Sequence, residues 1–144
     1  MFELDKRLMN DTVVLGDFAL CRVLLMNDSR YPWLILVPRT ASISEVFELT
    51  VEQQQQLWQE TSQIGQVLKA EFQADKINIA TLGNVVKQLH MHVVVRMQTD
   101  AAWPAPIWGQ GAAQPYTADA VVQMCLCLRT ALAQFGLTHT EEGL

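Results

Sequence analysis

Two histidines stand one residue apart in the sequence QLHMHVVVR. Side chains alternate between the two faces of a β-strand, so His90 and His92 share one face with Gln88 and Arg96, while apolar residues occupy the other face. Same-face Cα atoms lie roughly 6.5–7 Å apart, which lets two imidazoles contact one small anionic group. One imidazole can act as a nucleophile while its neighbour carries the proton, because histidine titrates near neutral pH. Phosphorus is a natural target, since it accepts an imidazole nitrogen and then releases it.

The same residues allow two other interpretations. A pair of histidines in a strand is often structural and half-exposed. The pair can also bind zinc or copper, but such a site needs a third and usually a fourth ligand. The strand contains no Asp or Glu, and the one other histidine, His139, lies near the end of the sequence. We therefore expect no metal ion and no cofactor here, while the structural interpretation stays open.

Composition limits the class of protein. The chain has 144 residues, of which 50% are hydrophobic and 17% are charged, and this predicts a single folded domain over residues 1–144. The net charge of −5 argues against a nucleic-acid polymer as the partner, because that binding mode needs clustered Lys and Arg. A small nucleotide needs only a local pocket and is not excluded.

The cysteines and the hydropathy indicate the compartment. Cys21, Cys125 and Cys127 form no C-x-x-C pair, so we predict neither a disulfide framework nor a cysteine zinc site. This usage is typical of a reducing compartment. No segment has the pattern of a signal peptide, and no apolar run is long enough to cross a membrane. The expectation is a cytoplasmic protein without a membrane partner.

The arrangement of apolar runs and turn residues predicts the fold class. Thr50 with Gln53 forms a capping-box signature before one helix, and Thr117 is the expected N-cap of a second helix. Runs typical of strands precede the first helix and lie between the two helices. We predict an α+β fold, in which an antiparallel sheet of about five strands carries two main helices. The predicted strands lie at residues 12–18, 18–27, 31–39, 76–84 and 88–96.

The tryptophans have several possible roles. Residues 100–116 are rich in Pro, Trp and Gly and predict a long irregular loop, of a length that is often functional. In this loop Trp103 and Trp108 can stack on a base or on a partner chain, or can anchor the loop itself. We expect Trp33 in the core. Trp58 lies at the edge of the first long helix's apolar stripe and can serve a contact between subunits.

The sequence GNVVKQLHMHVVVR resembles the signature of the histidine triad (HIT) family of nucleotide hydrolases and transferases. That signature is a Gly-Gln-Ser/Thr-Val stretch followed by three histidines that alternate with apolar residues. The segments FALCRVLLMN and WLILVPR are similar to the strands that precede it in the family, so the resemblance covers roughly residues 12–96. The residues that match the signature are Gly83, Val86, His90 and His92.

This resemblance implies roles for individual residues. His90 would be the nucleophile on the α-phosphate, giving a covalent nucleotidyl-imidazole that water later hydrolyses. His92 would hydrogen-bond the phosphate or the leaving group. Asn27 would bond the ribose, Asn84 would orient the phosphate in place of the usual Gln, and Leu25 would line the base slot. The family also implies a homodimer that forms through the first long helix and a sheet edge.

The departures from the signature raise a question about activity. In the family, the central histidine donates a ring N–H to the backbone carbonyl of the first histidine position, and Gln88 still supplies that carbonyl. Gln88 cannot carry a positive charge, so replacing it with His is expected to raise activity if the missing cation limits the rate. Val85 lacks a hydroxyl that would contact phosphate, and a hydrogen bond to a charged group contributes about 1.5–3 kcal/mol. Arg96 can reach phosphate from the histidine face, or it can remain a solvated charge at the strand end.

Two functions follow from these residues. The first is a nucleotide hydrolase or nucleotidyl transferase with an altered but working site formed by Gln88, His90 and His92. The second is a catalytically weak nucleotide-binding or regulatory module that has kept the pocket. A third interpretation, a metal-binding strand protein, would be excluded if metal analysis of untagged protein found no stoichiometric zinc or copper.

Overall fold

The computed structural model describes residues 1–139. The strands are β1 (Thr12–Asp17), β2 (Cys21–Met26), β3 (Trp33–Pro38), β4 (Lys76–Ala80) and β5 (Met91–Arg96). They form one sheet in the order β1-β2-β3-β5-β4, and every neighbouring pair of strands is antiparallel. The predicted α+β fold with a five-stranded antiparallel sheet is therefore confirmed. The helices are α1 (Lys6–Asp11), α2 (Val51–Phe72), α3 (Ala118–Ala133) and a short 3-10 helix (Val46–Glu48).

Helices α2 and α3 cover one face of the sheet and form the main core with it. Both predicted N-caps are confirmed, because the Thr50 hydroxyl accepts the Gln53 N–H and the Thr117 hydroxyl accepts the Ala120 N–H. The apolar residues of β5 alternate toward these helices, as period-two patterning requires. The buried side chains that β5 and its approach contribute to this core are Leu89, Met91, Val93 and Val95.

Part of the opposite face of the sheet is covered by residues 2–11, which we call the cover segment. Its Leu4 and Leu8 are buried and pack against Leu24, Ile35 and Val37 of the sheet. Burial of two leucines contributes about 3–6 kcal/mol of transfer free energy. The helix α1 in this segment is only six residues long, too short for a helical pattern to be recognised in the sequence.

The loop between β5 and α3 is irregular, as predicted, and a buried ion pair fastens it to the sheet. Arg96 is 2% exposed, and its Nε donates to Asp100 Oδ2 at 2.8 Å. The Asp100 carboxylate also accepts the backbone N–H groups of Met97, Ala102 and Trp103. Burial alone would raise the pKa of Asp100, but these hydrogen bonds outweigh it and lower the pKa to about 2.

No helix among residues 1–139 combines the length and the apolar character needed to cross a membrane.

We expect Asp100→Asn to lower the free energy of unfolding by about 3–5 kcal/mol, because Arg96 would be left buried without its counter-charge. In the wild-type protein the part of this contribution that comes from the charge of Asp100 is present above the ordinary aspartate pKa of about 3.9, and it is lost as the pH falls through about 2. Urea denaturation at neutral pH measures the change. The matched control is Asp17→Asn, whose ion pair with Arg22 is about a third exposed and should contribute no more than about 1 kcal/mol. Equal losses in the two variants would contradict the structural role of Asp100.

Candidate active site

The protonation of the first histidine is fixed by the backbone immediately before it. His90 lies just before β5, and its Nδ1 is 2.6 Å from the carbonyl oxygen of Gln88. A carbonyl can only accept a hydrogen bond, so Nδ1 must carry the proton. The Nε2 atom of neutral His90 is then left with a free lone pair. This is the tautomer that a nucleophilic imidazole needs.

The second histidine has the opposite tautomer. The indole N–H of Trp33 donates to Nδ1 of His92 at 3.0 Å, and an indole N–H can only donate. The proton of His92 therefore lies on Nε2, which becomes a hydrogen-bond donor. Burial, and then the neighbouring His90, lowers the pKa of His92 to about 3. His92 thus stays neutral across the physiological pH range.

The two imidazoles lie against each other at the base of a pocket. Their ring centroids are 4.9 Å apart and the planes meet at 72°, and both rings are nearly buried. They line a pocket of about 410 Å³, the size of typical small-molecule sites, which we call the histidine pocket. The other residues that line it are Arg7, Leu8, Asp11, Met26, Leu82, Gly83, Asn84, Val85, Val86 and Trp108.

The turn that follows β4 forms one wall of the histidine pocket. Gly83 has a φ of +82°, a conformation that glycine adopts without a steric penalty. The turn brings Asn84 and Val85 to the pocket, and Val85 is 70% exposed there. The hydroxyl of Thr81 donates to the His90 carbonyl at 2.8 Å and ties the start of the turn to the histidine.

The side chain of Gln88 is not among those that line the histidine pocket. Its Oε1 accepts the Asp5 N–H and its Nε2 donates to the Glu3 carbonyl, each at 2.8 Å. Both polar atoms are therefore used to hold the cover segment. The contribution of Gln88 to His90 is made by its backbone carbonyl alone.

A second pocket of about 520 Å³ adjoins the first, and Asp11, Met26 and Trp108 line both. The Trp108 ring packs edge-on against His92, with centroids 5.3 Å apart. Asn27 lines the second pocket, and its Oδ1 accepts the Tyr116 N–H at 2.9 Å. The loop thus reaches the site through Trp108 and is held to it at Asn27.

Two residues predicted to bind substrate lie elsewhere. Leu25 is fully buried among the side chains beneath α2 and α3, so it faces away from both pockets. Its neighbour Met26 faces them instead, as strand alternation requires. The guanidinium of Arg96 donates to Asp100, Asn78 and the Ala105 carbonyl. Arg96 is not among the residues that line the histidine pocket.

Sequence reasoning missed three contributions to the site. The prediction that Trp33 is a core residue was incomplete, because its indole N–H orients His92. The register could have indicated this contact: Trp33 pairs with Val94, which makes it a diagonal neighbour of His92 on the same face. Arg7 and Asp11 of the cover segment left no signal in the sequence. Within residues 1–139, no group of three or more His, Cys, Asp or Glu side chains is arranged to hold a metal ion.

Comparison with known proteins places this site in a family. The sequence model of the HIT domain matches residues 7–99, which include both histidines and most of the cover segment's helix. No curated protein matches the chain significantly.

Solved structures of histidine triad proteins are similar over nearly the whole chain. One from Marinobacter aquaeolei is 48% identical, covers 93% of this chain and 98% of its own, and superposes with a TM-score of 0.91. One from Sinorhizobium meliloti is 45% identical, with coverages of 92% and 98% and a TM-score of 0.89. One from Bradyrhizobium japonicum is 42% identical, with coverages of 90% and 97% and a TM-score of 0.88.

We expect Trp33→Phe to release the tautomer of His92, because Phe keeps the ring but removes the N–H that Nδ1 accepts. Nitrogen-15 NMR of the wild-type protein should show His92 neutral and protonated on Nε2 from pH 5 to pH 8. The variant should show a mixture of the two tautomers, and any turnover should fall about 10- to 100-fold, as for other residues that orient a reactive histidine. Trp58→Phe, on the exposed side of α2, is the matched control. An unchanged His92 tautomer in Trp33→Phe would refute the role of the indole.

Proposed function

The chain belongs to the HIT domain family, and from this membership we propose that it hydrolyses a phosphoanhydride or phosphoramidate bond of a nucleotide, or transfers the nucleotidyl group. One observation carries the proposal: His90 and His92 present a bare nitrogen and an N–H to the same pocket. A nucleophile beside a fixed donor is the arrangement that attack on a phosphoryl group requires.

The proposed reaction has two steps. In the first, Nε2 of His90 attacks the α-phosphorus, and the N–P bond forms as the bond to the leaving group breaks. In the second, water attacks the same phosphorus and gives up a proton to the solvent, the N–P bond breaks with its electron pair returning to Nε2, and a nucleoside monophosphate is released. His90 keeps its Nδ1 proton on the Gln88 carbonyl throughout, which spreads the positive charge of the phosphorylated ring.

His92 serves in this scheme as a donor to a phosphoryl oxygen and not as a general acid. Its low pKa means that the ring is neutral at neutral pH, so no imidazolium is present to give up a proton. A leaving phosphate departs as an anion and needs no proton from the protein. An amine leaving group must be protonated, and that proton would come from water or from the substrate.

The two adjoining pockets suit the two parts of a nucleotide. The histidine pocket would hold the reacting phosphate, with Asn84 at its wall. The second pocket would hold the nucleoside, where Asn27 has its amide nitrogen left to bond the ribose. Its Oδ1 is already occupied by the Tyr116 N–H, and this fixes the orientation of the amide. The edge of Trp108 separates the two parts.

A nucleotide-binding module with weak turnover is the second candidate. The observation that favours it is the lack of a hydroxyl at Val85 and of a cation at Gln88, two groups that would stabilise a phosphoryl transition state. Binding requires only the pocket, whereas turnover requires that stabilisation as well.

We also propose a homodimer. Strand β4 is at the edge of the sheet, and its outer row of backbone N–H and C=O groups can pair with a second copy. Ile79 of β4 pairs with Val93, which faces the helices, and is 39% exposed on that side. Trp58 of α2 is 58% exposed. An edge strand and an exposed helix face would together form the interface.

The cytoplasm is the compartment that we propose. The three cysteines are free thiols, and Cys21 and Cys125 are buried. Burial, then the nearby Glu60, raises the pKa of Cys21 far above its usual value, so this thiol is inert. Free thiols are compatible with the reducing environment of the cytoplasm, where we also expect the nucleotide substrate.

We expect the wild-type protein to release AMP from adenosine phosphoramidate or from a dinucleoside polyphosphate, and His90→Ala to lower that release at least about a thousandfold. The reason is that the alanine removes the nucleophile and leaves the pocket. AMP formation followed by chromatography measures the rate, and calorimetry with AMP measures binding. His139→Ala, a histidine change outside both pockets, is the matched control. If the wild type releases no AMP but binds it, the binding module replaces the hydrolase.

For the homodimer, sedimentation equilibrium of the wild type should give about twice the mass of 16.2 kDa, and Ile79→Lys should shift it toward the monomer. A lysine on an edge strand disfavours pairing with a second edge. Val122→Lys changes an exposed apolar residue of α3 and is the matched control. A monomeric wild-type protein at micromolar concentration would contradict the dimer.

A further inference from the structure

We propose that Gln88 is a positioning residue, which clamps the cover segment so that Arg7 faces the histidine pocket and supplies the positive charge that Gln88 itself lacks. This inference rests on the proposed function, because it assigns Arg7 to the phosphate of the nucleotide. In the sequence, Gln88 is recognised only as a residue that stands where the family signature has a histidine.

The clamp copies the pairing of two strands. The Gln88 amide accepts the Asp5 N–H and donates to the Glu3 carbonyl, each at 2.8 Å. These two backbone groups belong to residues i and i+2, which are the groups that one residue of a parallel neighbouring strand would engage. A primary amide carries a donor and an acceptor side by side, so one side chain can bind both backbone groups at once. An imidazole at position 88 has one donor and one acceptor on separate corners of a rigid ring and cannot reproduce the pair.

The two Gln88 hydrogen bonds, which we call the clamp, hold the residue at which α1 begins. Asp5, whose N–H is clamped, is also the N-cap of α1, and its carboxylate accepts the N–H groups of Arg7 at 2.8 Å and Leu8 at 3.4 Å. On either side of the cap, Leu4 and Leu8 are buried against the sheet. The rotation of the helix about its axis is therefore fixed by two buried leucines and one clamped cap.

With that rotation, α1 presents two charged side chains to the site. Arg7 and Asp11 are four residues apart, so they lie on the same side of the helix. Arg7 lines the histidine pocket, whereas Asp11 lines the boundary between the two pockets. None of the ion pairs within residues 1–139 includes either residue. Arg7 is thus available for a phosphate.

Arg7 supplies a charge that its neighbours in the pocket do not. His92 is neutral at physiological pH because its pKa lies near 3, and Gln88 has no charge. Among the described residues that line the histidine pocket, Arg7 is the one permanent cation. A guanidinium binds phosphate through two parallel N–H donors, which a single imidazole cannot do.

The first experiment tests Arg7 with AMP as the probe. Titration calorimetry at low and at high salt should show that Arg7→Ala weakens AMP binding about 10- to 100-fold, the loss expected for a hydrogen bond to a charged group. Arg7→Lys should recover part of the loss, and the salt dependence of the affinity should be smaller in Arg7→Ala than in the wild type. Lys6→Ala removes a neighbouring cation of α1 that lines neither pocket, and it should bind AMP as the wild type does.

The second experiment tests the clamp. Gln88→Ala should weaken AMP binding as much as Arg7→Ala does, and it should speed hydrogen exchange of the backbone amides of Asp5, Arg7 and Leu8. In the Arg7→Ala background, Gln88→Ala should cause no further loss of affinity, because both act through the same guanidinium. Gln88→His should likewise weaken binding, contrary to the expectation from the sequence that a histidine here restores activity.

Equal affinities for Arg7→Ala and Lys6→Ala, a wild type that does not bind AMP, or additive losses in the double variant would overturn the inference. Failure of the proposed function is recognised separately: if the wild type binds AMP through Arg7 but releases none from either substrate, the hydrolase fails and the role of Arg7 stands. If the wild type turns over substrate and Arg7→Ala does so equally well, the hydrolase stands and the role of Arg7 fails.

Discussion

A neutral imidazole has two nitrogens and one proton, and the partner of one nitrogen decides what the other can do. In this protein the two partners are of opposite kinds. The Gln88 carbonyl can only accept, so it leaves His90 with a bare Nε2, and the Trp33 indole can only donate, so it leaves His92 with an Nε2 proton. The chemistry available in the pocket depends on these two hydrogen bonds.

The sheet and the loop hold those partners in place by separate means. Trp33 lies on β3, which pairs with β5 in a register that sets Ile35 opposite His92. A shift of one residue would turn Trp33 to the helix side and break the contact. On the open side, the loop is fastened by Arg96 to Asp100 and brings Trp108 against His92. The low pKa of His92 results from this enclosure, because burial is its largest cause.

The parts of this protein that the sequence predicts are those with a periodic or a stereochemical signature. Strand alternation assigned His90 and His92 to one face, and the capping residues Thr50 and Thr117 located both long helices. The turn at Gly83 brings Asn84 to the pocket as the family signature implies. In each case the information is local, since a few neighbouring residues determine the conformation.

The parts that the sequence does not predict depend on contacts between distant residues. Leu25 was assigned to the substrate from the family resemblance, but it is buried under the helices. Arg96 was expected either to reach phosphate from the histidine face or to be a solvated charge, but it is buried and paired with Asp100. The cover segment contacts Gln88 across 83 and 85 residues of sequence, and no pattern within residues 2–11 reports that contact.

The glutamine illustrates why a motif residue cannot be judged by its charge alone. Compared with the family signature, Gln88 removes a possible positive charge from the site, because an amide cannot become a cation. In the fold, its backbone keeps the one contact with His90 that the position must make, and its side chain is free to bind elsewhere. A histidine at this position would carry only a weak charge, because an imidazole titrates near neutral pH. Moving the charge to a guanidinium on α1 gives the pocket a cation that does not titrate, at the cost of making the site depend on the docking of a short helix.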